Sequence, residues 1–513
     1  MSPIATAPPL VTLRNAPAAA FDGAIAAART CYAPRVVGVE EITDTQRATI
    51  GPLTFDAGHH TVYQHAHFEF GLENISRQFV WSFLHAYPFY NSEQSSQRYV
   101  KLDEPRAFVP PLEGETRAVY EQAVLRAWDD YAKLSALLRA DTFAILKQLR
   151  HVTPRASVRR LAAIEREAEK KAIETARYVI PIAAFTSMVH TVSGLTLHRL
   201  RRMMQVGDTP FEARQVIGAM LEAARRHDPQ FFDRVGPEPL DRDAAPEAAM
   251  PHPQEGRDRY VREFDARLDG RVSRLIDASD RAETIVADAV RATFGLASDQ
   301  LPDGEAIDRV MNPARNRYRL DTLNVAYHSP LMRALNHVTY TFAKRISHTA
   351  DSQDQRHRMV PASRPLLTCA VGRVPDFVTP RLIAANPEAT AIFGESMGAA
   401  WSARNRLLDL GAPAEFAAYV LPNALAVRLV ETGPLIALLQ KWTQRTCFNA
   451  QEEIYDASMD ELDQVAAIHP RLSRHIGPPC VVRNGLVAPR CTEGAHFCGV
   501  PVWLNFPNVE RRL

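Results

Sequence analysis

The chain has 513 residues, a formal net charge of +1 and a hydrophobic content of 46%. That length predicts roughly two to four domains with ordinary packed cores. The near-zero charge excludes a general polyanion-binding surface, so nucleic acid is not an expected partner and any phosphate contact has to be local. Six cysteines in so long a chain do not make a disulfide scaffold. The opening "MSPIATAPPLVTLRNA" lacks a basic region ahead of an apolar core, and the best apolar stretch, "YVIPIAAFTSMVH", is too short to span a bilayer. The expectation is a soluble cytoplasmic protein with no membrane partner.

Taken in order, residues 13–32, "LRNAPAAAFDGAIAAARTCY", carry small and apolar residues at helical spacing. "HAHFEFGLENISR", 65–77, alternates apolar and polar residues as a half-buried strand does. Residues 115–175 are charged and helix-favouring, which predicts two or three extended helices. Residues 235–258 are rich in Pro, Ala and charge without apolar period, which predicts a linker.

Beyond that linker the pattern returns. "LIDASDRAETIVADAVRATF", 275–294, matches 13–32, with Leu275 on Leu13, Arg291 on Arg29 and Phe294 on Tyr32. "HVTYTFAKRISH", 337–348, matches 65–77: His337, Tyr340 and Phe342 fall on His65, Phe68 and Phe70. One residue is gained or lost before Ile75-Ser76 and Ile346-Ser347. "EFAAYVLP", 415–422, matches "ETARYVIP", 174–181. Three matches in one order point to a duplication. The expected organisation is a first copy over 1–234, the linker 235–258, a second copy over 259–470 and a tail over 471–513.

Two charged stretches stand out. In "NSEQSSQRYV", 91–100, Glu93, Ser95, Ser96 and Arg98 combine hydroxyls, backbone amides and a guanidinium, which suits a phosphate monoester. In "DQRHRMVPASRP", 354–365, Arg356, His357 and Arg358 are consecutive. Alone, each reads first as a solvated polar turn or basic face. Their positions in the repeat shift that balance. Counted from Ser76 and Ser347, the Arg-His-Arg triplet falls on His85-Ala86-Tyr87. The first copy lacks the triplet and keeps the Ser/Arg loop; the second keeps the triplet and lacks the loop.

At these residues the sequence resembles the flavin-dependent thymidylate synthases, whose signature is Arg-His-Arg followed by a Glu-x-Ser-x-Arg-Tyr loop. "HHTVYQHAHFEF", 59–70, "ETARYVIP" with Arg177, and "RTCFNAQEEI", 445–454, resemble further family motifs. The resemblance implies an α+β fold in two tandem copies. It implies transfer of a one-carbon unit from methylenetetrahydrofolate to C5 of dUMP, with FAD as hydride carrier and NADPH as reductant. It implies a nucleotide site built from two subunits: Gln353, Arg356 and Arg445 from one copy, with Glu93, Ser95, Ser96, Arg98 and Arg177 from the other. Arg445 would be the catalytic residue, stabilising charge on the uracil ring. His59, Thr61, Arg356, His357 and Arg358 would contact the flavin. Family members form homotetramers, so a duplicated chain is expected to form a homodimer.

The sequence departs from the family where Asn-x-Arg is expected: those positions hold Ser193 and Leu195 in the first copy, Pro434 and Ile436 in the second. Two alternatives therefore stay open, a non-catalytic nucleotide-binding or scaffold protein left by a decayed duplicate, and a methylase of another pyrimidine nucleotide. In the tail, Cys480, Cys491 and Cys498 with His475 and His496 are candidate ligands for structural zinc, against the plainer reading of packed, reduced thiols.

Overall fold

The computed structural model describes residues 4–153, 156–250 and 254–513. Each half of the chain folds its own four-stranded antiparallel sheet. The first contains β1 (Leu10–Asn15), β2 (His67–Ser76), β3 (Tyr90–Gln94) and β4 (Phe185–Ser193) in the order β1-β2-β4-β3. The second contains β5 (Ser273–Ala278), β6 (Thr339–Ser347), β7 (Ala362–Ser363) and β8 (Ala426–Pro434) in the order β5-β6-β8-β7. β4 alternates half-buried and buried residues along its whole length, as a strand covered fully on one face does.

The matches read in the sequence occupy equivalent places in the two sheets. Leu13 faces Phe70 and Leu275 faces Phe342. The gained residue before Ile75 is a β-bulge in β2, where Asn74 adopts φ 55°. The landmark serines are helix caps. Ser76 Oγ accepts from Phe79 N at 2.8 Å and Ser347 Oγ from Ala350 N at 3.1 Å, starting the helices Arg77–His85 and His348–Asp354. The charged segment 115–175 forms two helices, Gly114–Leu149 and Val158–Ala176.

Of the three largest apolar cores among the described residues, two belong to one copy each and one is shared. Phe68, Phe70, Val216 and Met220 lie in the first copy's own core; Tyr340, Phe342, Leu438 and Val465 in the second's. The shared core joins Trp81, Leu134 and Tyr178 of the first copy to Ile346, Trp401 and Tyr419 of the second. This shared core is what makes one body of two repeats. Among the described residues no helix is long and apolar enough to cross a membrane.

Candidate functional site at the seam between the copies

The matching octets 174–181 and 415–422 meet each other, with Pro181 bridged to Pro422. Their backbone bonds are reciprocal. Ile182 N donates to Leu421 O at 2.8 Å and Asn423 N to Ile180 O at 2.8 Å; Ala183 N reaches Tyr419 O at 3.0 Å and Ala424 N reaches Tyr178 O at 2.9 Å. A pseudo-twofold axis therefore runs through the octets. The side chains obey it too. Glu212 accepts from Ser76 Oγ at 2.6 Å and from Tyr419 of the other copy at 2.7 Å, while Glu453 accepts from Ser347 Oγ at 2.6 Å and from Tyr178. Each copy thus lends a tyrosine to the carboxylate that holds the other's helix cap.

This axis brings the two charged stretches together. Arg356 Nη2 donates to Glu93 at 3.2 Å, and Arg358 reaches Asn91 at 3.4 Å and lies 4.9 Å from the centre of the Tyr90 ring. Arg98 donates from Nε to Glu174 at 2.6 Å and from Nη2 to the carbonyl of Asn449, in the second copy, at 2.7 Å. Arg177 is buried and donates to Gln451 at 3.1 Å; Gln353 also donates to Gln451. Arg445 donates from Nε to His357 Nε2 at 2.8 Å and from Nη2 to the Gln353 carbonyl at 3.2 Å.

The electrostatics are those of a cationic site. Burial, with Arg98 and Arg356 nearby, brings the Arg445 guanidinium down to about 10, against the opposing pull of Asp354. Burial, then Arg445, holds His357 well below the usual imidazole range, so the ring is neutral and its Nε2 is free to accept. Burial works against the charge of Glu174, yet Lys171, Arg98 and Arg177 hold its carboxyl at about 2. Beside the triplet opens a cleft of about 550 Å³ lined by Asn324, Tyr327, Arg356, Arg358, Gln440 and Arg445, within the size range of small-molecule sites.

Comparison with known proteins agrees with this architecture. The family model described as thymidylate synthase complementing protein matches the chain twice, over residues 15–230 and 274–471. The chain belongs to that family, as a tandem duplication. Among curated relatives, the flavin-dependent thymidylate synthase of Clostridium tetani is 31% identical over 232 residues, 44% of this chain and 85% of that protein. The one from Geobacter sulfurreducens is 33% identical over 168 residues, 32% of this chain and 70% of that protein. The one from Nitratidesulfovibrio vulgaris is 34% identical over 175 residues, 32% of this chain and 69% of that protein.

The pseudo-twofold generates a second seam, and in this duplicated family member it differs in content. Where the first seam has Arg356, Arg445, Arg98 and Arg177, the second has His85, Met204, Thr368 and Ala418. Asp208, at the position of Asn449, is buried and fills it: its carboxylate accepts from Leu367 N at 2.8 Å, Thr368 N at 3.0 Å and Thr368 Oγ1 at 2.9 Å. Arg364 is paired to buried Asp351 at 2.7 Å, which also accepts from Trp81, and His85 packs edge-on against Trp81. At the second seam, then, the carboxylates of Asp208 and Asp351 are taken up by groups of the chain itself.

The remaining expected residues fall as follows. Ser96 Oγ accepts from Arg98 N at 3.2 Å, at the seam. Ser95 Oγ meets Ser187 at 2.9 Å, and both serines line another cleft with Arg77, Lys101 and Arg106. His59 and Thr61 are exposed beside and within the short helix His60–Gln64, and among the described residues no hydrogen bond joins them to the arginines. The zinc expectation finds no support in geometry: among the described residues no group of three or more His, Cys, Asp or Glu is placed to hold a metal ion. Cys480 and Cys498 instead pack against Phe448, Tyr455 and Val502. Burial pushes the thiols of Cys480 and Cys447 up to about 12 and 11, helped by their neighbouring thiols. Sequence reading passed over Cys447 and Asn449. Asn449 links Arg98 to the tail by donating to Glu493 at 3.1 Å and to the His496 carbonyl at 2.8 Å.

Proposed function

We propose that the first seam binds dUMP and that the chain is a flavin-dependent thymidylate synthase, moving a one-carbon unit from methylenetetrahydrofolate to C5 of the uracil ring. The observation that carries this reading is the convergence of Arg98 and Arg177 from one copy with Arg356 and Arg445 from the other. Arg98 and Arg177 hold the phosphate and so fix the base, a positioning effect. Arg356 is tethered by an exposed pair with Glu93. Such pairs contribute only about 0–1 kcal/mol, so Arg356 can turn to an anionic ligand at little cost. Arg445 stays cationic at neutral pH. With two of its donors engaged by His357 and Gln353, it presents the rest of its guanidinium to the ring and stabilises charge developing there. Glu93, Ser96 and Gln353 complete the nucleotide's surroundings, while Ser95, expected there from the sequence, is turned to Ser187 instead.

The cleft beside the triplet fits FAD in part. Arg356 and Arg358 suit a diphosphate, and Tyr327, Gln440 and Gln444 offer polar groups. His357, His59 and Thr61 are the other flavin contacts in this reading. The flavin supplies the redox chemistry, with NADPH as reductant. One observation favours a second reading, a nucleotide-binding protein without turnover. Leu195 and Ile436, where the family resemblance leads to an arginine, are 3% and 1% exposed within apolar cores, so neither position offers a donor. The flavin absorption band of the purified protein separates the two: coloured protein supports turnover, colourless protein that binds dUMP supports the second reading. By the family's tetrameric architecture, two chains pair as a homodimer.

The nucleotide reading is tested by titrating dUMP into wild type, Arg98→Ala, Arg356→Ala and the double variant. Each single change is expected to cost about 1.5–3 kcal/mol, about ten- to a hundred-fold in affinity. The double variant should fall short of the sum because both residues serve one ligand. Wild-type affinity in both single variants would return the triplet to a solvated charge run.

A further inference from the structure

Beneath the Arg356–Arg358 turn lies a charged cluster that the reading above does not use. Lys344 of β6, Asp354, Glu431 of β8, Lys441 and Glu461 are each 2% exposed or less. Lys441 Nζ donates to Asp354 at 2.8 Å and to Glu431 at 2.6 Å. Lys344 Nζ pairs with Glu461 at 2.5 Å, with Asp354 at 3.4 Å, and with Glu431. Ser273 Oγ and Trp442 Nε1 donate to Glu461 at 3.0 and 2.6 Å. Asp354 Oδ1 is buried without a partner, so the carboxylate depends on the two lysines at Oδ2.

Two members reach the seam site. Asp354 ends the helix His348–Asp354, and its carbonyl accepts from His357 N at 3.1 Å, closing the turn of the triplet. Lys441 precedes Arg445 by one turn on the helix Leu435–Arg445. The Lys441–Asp354 pair therefore ties the turn to the helix, directly below the bond from Arg445 to His357.

The first copy is an internal control. Strand register and helix starts put Leu72, Phe83, His190, Leu200 and Met220 at the positions of Lys344, Asp354, Glu431, Lys441 and Glu461. Four are apolar and belong to the first copy's core. His190 is buried, and burial holds it neutral at about 3. The same fold therefore packs without these charges. Buried ion pairs are often no more stabilising than apolar side chains of similar volume. What the second copy has besides is Arg356, His357 and Arg445, where the first has His85, Ala86 and Met204.

We propose that Lys441 and Asp354, backed by Lys344, Glu431 and Glu461, are positioning residues that lock the Arg356–Arg358 turn to the helix carrying Arg445, so that its guanidinium meets the pyrimidine base in one orientation. The role of the base rests on the dUMP reading; the lock itself does not. Because Arg445 donates to His357 Nε2, the locked ring carries its proton on Nδ1, and that tautomer reports the lock without any ligand.

The test uses the full chain with Lys441→Met, which removes the tie, and Lys441→Arg, which keeps a cation there. A five-residue exchange to the first copy's set (Lys344→Leu, Asp354→Phe, Glu431→His, Lys441→Leu, Glu461→Met) covers the case in which the single variant misfolds. Nitrogen-15 NMR of histidine-labelled protein reads the His357 tautomer, and calorimetry reads dUMP affinity. We expect Lys441→Met and the exchange to release the tautomer and weaken dUMP about ten-fold, and Lys441→Arg to recover most of both. An unchanged tautomer in Lys441→Met and the exchange overturns the proposal, whether dUMP affinity falls or not. If wild type itself does not bind dUMP, the nucleotide reading fails, and the tautomer alone decides the lock: released by Lys441→Met it stands, retained it falls.

Discussion

The two seams of this molecule lie on the same backbone plan, related by the axis through Pro181 and Pro422. One holds Arg98, Arg177, Arg356 and Arg445; the other holds Thr368, Ala418, His85 and Met204. In the first, burial above all, with smaller contributions from Arg98 and Arg356 and against the pull of Asp354, depresses Arg445 to about 10. In the second, Asp208 satisfies the loop at Leu367 and Thr368, and Asp351 neutralises Arg364. The difference teaches how a fused duplicate divides its labour. In the reading proposed here, each copy keeps the half that builds one site. At the other seam the equivalent positions carry packing and internal hydrogen bonds through Asp208, Thr368 and Asp351.

The sharpest way to break the comparison is to give the first seam the second's residue at its centre. Arg445→Met removes the cation that the dUMP reading sets against the base, and on that reading turnover should fall about 100- to 1000-fold, as when a single charge-stabilising donor is removed from an active site. Single-turnover flavin oxidation with saturating dUMP measures it; a drop below ten-fold would remove Arg445 from the chemistry. A smaller effect is expected from opening the second seam. Asp208→Ala leaves Leu367 N and Thr368 N, now buried by the plug, without their acceptor, at a cost of about 1–3 kcal/mol in stability. Thermal unfolding should register that loss while dUMP affinity stays within two-fold of wild type. A fall in affinity would mean that the plugged seam also takes nucleotide.

The smallest effect concerns the shared interface. Burial raises the Glu212 carboxyl to about 7 from an ordinary 4.5, although Ser76 and Tyr419 donate to it. The folded state therefore holds a proton that the unfolded chain releases near 4.5. The stability from this group is fully present below 4.5 and is lost as pH rises toward 7, with an upper bound of about 3 kcal/mol. Glu212→Gln should flatten the decline of thermal stability between those values. Glu415, raised to about 7 by its own burial, keeps part of it. A profile identical to wild type would mean that Glu212 is ionised in the folded chain.

Much of this was legible in the residues, and the reason is local periodicity. Phe68 and Phe70 against Tyr340 and Phe342 gave the strands away by alternation, and the one-residue offset before Ile75 proved to be the bulge at Asn74. The paired octets closed by Pro181 and Pro422 were visible as text, but not that they bind each other, because a repeat carries no sign of its own symmetry axis. The Tyr178–Glu453 and Tyr419–Glu212 exchanges, the Asp208 plug and the Lys344–Lys441 cluster were silent for a related reason. Their partners are far apart in sequence or sit on different elements, and a lone buried Lys or Asp reads like any solvated one. Helix length in 115–175 followed from composition, whereas the direction of Ser95, away from Arg98 and toward Ser187, depends on the turn that follows β3.

The central claim is that halves from different copies build one site and that its pseudo-symmetric twin is closed. A crystal structure of the chain grown with dUMP tests this most directly. The account predicts one nucleotide per chain, its phosphate against Arg98 and its base facing Arg445. A nucleotide at Thr368 and Asp208, or one held entirely within a single copy, would contradict it.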